Sequence, residues 1–73
     1  MFENKDVARG VSDLMVDIGA RLDASLSAVR DDCSAAEFKA YRAVVARLLG
    51  DMLLDVMNPI YARHPELKPA QLD

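Results

Sequence analysis

Few side chains in this sequence have a type and a spacing suited to chemistry. Asp13 and Asp17 lie four residues apart, as do Asp51 and Asp55. That spacing puts each pair on one side of a helix, where two carboxylates can share a proton or hold a divalent cation. Each pair also sits in a ladder of charges four residues apart: Arg9, Asp13, Asp17 and Arg21 in one case, Arg47, Asp51 and Asp55 in the other. An acid four residues ahead of a base, as in Asp17 and Arg21, supports a solvated helix. The inward Glu and Glu-x-x-His pattern of a di-iron bundle does not occur. Both ladders are therefore expected to face water, with no metal bound.

Cys33 is the one cysteine and His64 the one histidine. A structural zinc site wants four nitrogen or sulfur ligands, and an internal disulfide wants two cysteines. Cys33 precedes a helix start, which can lower a thiol pKa, but Asp31 and Asp32 beside it act in the opposite sense. Cys33 is read as a dispensable residue of a connecting turn. Tyr61, Arg63 and His64 are close enough in sequence to line a small anion or partner contact where the tail meets the helices. The competing reading is a wet surface tail on which only the tyrosine packs. No catalytic set and no cofactor motif emerges, so the chain is read as non-enzymatic and without a cofactor.

The elements that must position these residues are helices. Val7, Val11, Leu14, Ile18, Leu22 and Val29 recur mostly at three or four residues, with Met15 and Leu26 at the stripe's edge and Ser25 in its missing place. This predicts a first helix over about residues 4–30, apolar on one side. Gly10 and Gly19 weaken it by about 1 kcal/mol each relative to Ala, so packing must support it. Ser34-Ala35-Ala36-Glu37 is a capping box and the strongest local signal in the chain. It predicts a second helix over about residues 34–57, antiparallel to the first because the connection is short. Asn58-Pro59 is expected to end that helix, since a residue before proline disfavours the α conformation. A short helical turn and a tail with Pro65 and Pro69 then fill 58–73, draped on the helices by Ile60, Tyr61 and Leu67.

The second helix carries two apolar faces. Phe38, Tyr41, Val45, Leu48, Met52 and Val56 form the face expected against the first helix. Ala43, Ala46, Gly50, Leu53 and Met57, with Leu54 beside them, repeat with the spacing of a heptad seam. One neighbouring helix cannot cover both. The alternatives for the second face are another copy of the chain, the tail, and a foreign protein.

Composition narrows the rest. The chain has 73 residues, enough for one domain with a small core that disulfides, metals or association must usually reinforce. Its net charge of −3 argues against nucleic acid and against anionic membrane surfaces. No apolar run approaches the ~18 residues of a membrane span, and no leader segment follows Met1. With its unpaired cysteine the protein is expected in the cytoplasm. The fold expected is all-α: a two-helix antiparallel hairpin with a short C-terminal helical turn, dimerising into a four-helix bundle. The function expected is that of a small cytoplasmic adaptor, regulator or inhibitor acting through apolar helix faces. The alternatives are a structural accessory subunit of a larger complex, or a small-molecule or metal sensor with a pocket lined by Tyr41, Met52 and Tyr61.

Overall fold

The first helix, α1, starts where the Asn4 side chain accepts hydrogen bonds from the backbone N–H groups of Asp6 and Val7, at 2.9 and 3.1 Å. These are two of the four N–H groups that a helix start leaves without partners. The computed structural model describes residues 1–69; positions 70–73 of the expected tail lie outside the described residues. In it α1 runs over Lys5–Asp32 and the second helix, α2, over Ala35–Met52. Between them Cys33 donates its N–H to the Val29 carbonyl and Ser34 opens α2. Both halves of the capping box are formed: the Ser34 hydroxyl accepts from the Glu37 N–H, and the Glu37 carboxylate accepts from the Ser34 N–H. All described elements are helical, and α1 and α2 form a hairpin.

The chain does not leave the helix at Asn58-Pro59. Asn58 keeps helical backbone angles, and a five-residue π turn over Leu53–Met57 joins α2 directly to α3, Asn58–Arg63. Proline donates no N–H and crowds the carbonyl four residues back, here that of Asp55. The wider π turn, closed by the Asn58 N–H on the Leu53 carbonyl, relieves that crowding while the helix continues. It acts as a one-residue insertion and turns everything downstream by about 100° relative to an unbroken helix. A 3₁₀ turn over Pro65–Leu67 follows.

That rotation decides the core. Met57, expected on the outer face of the second helix, is 8% exposed and packs with Ala8, Ile60 and Tyr61. Val11, Met15, Val56 and Leu67 pack around this cluster, at the end of the hairpin where the start of the chain meets α3. The inward stripe of α1 is correspondingly shifted. Ala8, Ser12 and Met15 face inward, while Val7 and Leu14 of the expected stripe are exposed. Ala8 has almost no side chain to hold Ile60 and Tyr61 away, and Ser12 is drawn inward by Tyr61. On α2 the expected face holds except at Leu48, which is exposed while Leu49 is half-buried.

Two serine–tyrosine hydrogen bonds fix the register of the hairpin. Ser12 and Tyr61 share one of 2.6 Å between their hydroxyls in the buried end. Ser25 and Tyr41 share another of 2.6 Å nearer the connection. Ser25 already donates to the Leu22 carbonyl, so Tyr41 must be the donor in the second pair. Slipping one helix along the other would leave these hydroxyls without partners, at about 1–3 kcal/mol for a buried group. Replacing Ser12 with Ala should therefore cost about 1–3 kcal/mol, by stranding the Tyr61 hydroxyl in the core. Ser34→Ala should cost about 1 kcal/mol through the lost cap. Exposed Ser27→Ala serves as the control in urea unfolding, and equal midpoints for all three variants would contradict both assignments.

Candidate functional site

The charged ladders stand on exposed helix surface. Asp17 pairs with Arg21 at 3.2 Å, and Asp13, Asp51 and Asp55 are exposed. Among the described residues no group of three His, Cys, Asp or Glu side chains could hold a metal ion. Cys33 is exposed in the connection between α1 and α2.

Tyr61, Arg63 and His64 are placed near one another in sequence but serve three different contacts. Tyr61 is buried and tied to Ser12, so its hydroxyl does not line an anion site. Arg63 reaches Glu3 at 3.5 Å. His64 directs Nε2 at the Phe2 carbonyl, 2.9 Å away, and Nδ1 at Glu66, 3.8 Å away. A carbonyl only accepts, so Nε2 carries the proton of this bond. Phe2 has a φ of 62°, in the left-handed region that costs a non-glycine residue about 1–2 kcal/mol. Lys5 closes the set on Glu66 at 3.3 Å. Together these contacts clasp the start of the chain to the end of α3.

The Glu66 carboxyl is held below the ordinary glutamate value of 4.5, chiefly because it accepts a hydrogen bond from its own backbone N–H, and further because Lys5 and His64 face it. A lowered folded pKa stabilises the fold above the unfolded value, and that contribution disappears as pH falls through the folded value.

Two parts of the apolar surface around α2 adjoin one another, while Val44 and Leu48 stand exposed apart from both. Lys39, Ala43, Ala46, Gly50 and Leu54 repeat at three or four residues and form one outward row. Leu54 stands at 64% exposure, the highest of the large apolar side chains described. A side chain built on Gly50 would meet open space. Ala43 and Ala46 floor a shallow depression of about 300 Å³ whose edge is Lys39 and Arg42. Beside this row, an apolar groove of about 230 Å³ runs between the helices, lined by Met15, Val16 and Gly19 from α1, by Leu49, Met52, Leu53 and Met57 from the other side, and by Pro69. No charged side chain lines it, so it suits an apolar side chain and offers an ionic group nothing.

Of the outer-face residues expected from sequence, Ala43, Ala46, Gly50 and Leu54 share the outward row, Leu53 stands on the groove wall, and Met57 lies beneath it in the core. The pocket expected between Tyr41, Met52 and Tyr61 does not form as such. Both tyrosine hydroxyls are bound to serines, and only Met52 lines the groove. The α1 wall of the groove was not anticipated. Its one sequence signal is Gly19, a mid-helix glycine beside the apolar stripe, whose added Cβ would lie 3.6 Å from Leu49. Comparison with protein-family models, with curated proteins and with solved structures gives no significant match.

Two outcomes follow from this arrangement. Glu66→Gln should flatten the fall of thermal stability on acidification below about pH 4.5, the ordinary value of the group; an unchanged acid limb would place that fall elsewhere. Cys33→Ser should leave the fold, the melting temperature and the molecular mass unchanged, because the thiol touches nothing that the fold uses.

Proposed function

We propose that the chain is a non-enzymatic protein-interaction module of the adaptor, regulator or inhibitor kind, which works by burying apolar helix faces against another chain. Its first partner is a second copy of itself, and the pair forms a four-helix bundle. One observation carries this reading: nine large apolar side chains are exposed among the described residues, against five buried hydrophobic ones. Fully burying one such side chain contributes about 1.5–3 kcal/mol, so leaving them in water forgoes much of what a small chain needs for stability.

Shape supports the same reading. A compact domain of this length has a radius of gyration of about 11 Å, whereas this chain measures 14.5 Å, with extents of 45 × 20 × 16 Å. The long dimension is α1 itself, since 28 helical residues span about 42 Å. Two helices side by side bury one stripe each. Two hairpins face to face bury a second, and the product is a bundle of ordinary proportions.

No helix among the described residues is long and apolar enough to cross a membrane, so these faces are not read as lipid-facing spans. Light scattering coupled to size exclusion, over a hundredfold range of concentration, tests the proposal. The expected mass is twice the chain's 8.0 kDa, falling toward one chain on dilution. A mass of one chain at every concentration would remove the second copy and leave the accessory-subunit reading, in which a foreign protein covers the same faces.

A further inference from the structure

We infer that the second copy docks antiparallel along α2, on a two-fold axis at Gly50, with Leu54 of each chain seated over Ala46 of the other. This rests on the reading of the chain as a homodimer and adds its register. Three independent features of the helix share that centre.

The first is shape. Ala46 and Leu54 lie four residues before and after Gly50 on the same outward row. An antiparallel two-fold axis at Gly50 therefore brings each Leu54 to the mate's Ala46. One side of that contact is the most exposed large apolar side chain described, and the other is a floor of two alanines with open space above it. Gly50 carries no side chain to hold the backbones apart on the axis.

The second is charge. Before Gly50 the exposed side chains Lys39, Arg42 and Arg47 make that half of α2 basic, Glu37 being engaged in the capping box. After it come Asp51 and Asp55. An antiparallel mate sets the basic half of one helix against the acidic half of the other, while a parallel mate would set like against like. Arg47 lies three residues before the centre, and Asp51 and Asp55 straddle the position three residues after it. All three stand on one side of the outward row, and an antiparallel two-fold axis brings like sides together. Arg47 of each chain thus faces Asp51 and Asp55 of the other. None of the three forms an ion pair within the chain among the described residues.

The third is the groove wall. Leu49 and Leu53 lie on the opposite side of the row, one before the centre and three after. The same axis brings Leu49 of one chain within two residues, about 3 Å along the helix, of Leu53 of the other, so that the open edges of the two grooves adjoin. An isologous contact of this kind is closed and self-complementary.

Disulfide trapping reads the register directly. In a Cys33→Ser background, Leu54→Cys and Ala46→Cys are made separately and then mixed under mild oxidation. Eight helical residues separate positions 46 and 54, about 12 Å along the axis, whereas a disulfide spans at most about 7 Å between Cα atoms. The antiparallel register therefore gives a two-chain disulfide in the mixture and none in either variant alone. Self-linking of Leu54→Cys, or no linking in the mixture while light scattering still shows two chains, would overturn the register and leave the dimer standing. A one-chain mass for the unmodified protein would instead overturn the dimer. A charge exchange covers the case in which the cysteine variants dissociate. Arg47→Glu alone, and Asp51→Arg with Asp55→Arg, should each raise the dimer dissociation constant by roughly tenfold at low salt, and a 1:1 mixture of the two proteins should restore it. An Arg47→Glu dimer as tight as the wild type would overturn the proposal.

Discussion

The arrangement of the molecule turns on how a helix gets past Pro59. A proline in mid-helix removes one hydrogen bond and presses on the preceding turn, and the usual outcome is that the helix stops. Here the π turn over Leu53–Met57 admits one extra residue, and the helix continues through Asn58. The consequence is rotational. Without the insertion Met57 would project beside Leu53, and Ile60 and Tyr61 would miss α1. With it, Met57, Ile60 and Tyr61 close on Ala8 and form the buried apolar cluster of the hairpin. The same turn leaves Leu54 in the outward row, the furthest into solvent of the large apolar side chains described.

The remaining stabilising contacts are arranged around that end. Tyr61 reaches the core only because the helix is rotated, and Ser12 then supplies the partner that a buried hydroxyl requires. The clasp of Phe2, Glu3 and Lys5 on His64, Arg63 and Glu66 covers the same end with one hydrogen bond, from His64 to the Phe2 carbonyl, and with exposed or half-exposed ion pairs that solvent screens. Toward the connection, support comes from the Ser34 cap, from the Ser25–Tyr41 bond and from half-buried side chains such as Phe38 and Leu22. Val45, midway, is the other large side chain that is fully buried. Stability is thus uneven along the hairpin, concentrated where the start of the chain meets α3 and thin near the turn.

The sequence shows much of this and hides one step. The capping box at Ser34, the hairpin and the serine gap in the α1 stripe are legible, because each depends on residues close together in the chain. The π turn is not, since nothing local distinguishes a proline that ends a helix from one that a wider turn absorbs. Every misplacement downstream has that one source. Met57 moves inward, and Tyr61 is buried on Ser12 apart from Arg63 and His64. The exposure of Val7, Leu14 and Leu48 has a related cause. A stripe read at 100° per residue gives the apolar side of a helix but not the line of closest approach, which the small residues Ala8 and Ser12 set here. The groove shared by Gly19 and Leu49 depends on the packing of both helices and appears in neither taken alone.

What the thin half of the hairpin lacks is apolar cover, and the outward row supplies a place for it. Ala46 and Gly50 lie in α2 and Leu54 in the π turn that continues it, so the outer row ends in the device that completes the core. If association buries that face, binding and folding draw on a common free energy, because a partner that holds only the folded hairpin stabilises it by mass action. Stability then depends on concentration, and a change in either the π turn or the outer row is felt in both. A chain this small has little core to spare for a separate binding surface. It gains more from one helix whose two faces serve the inside and the outside together.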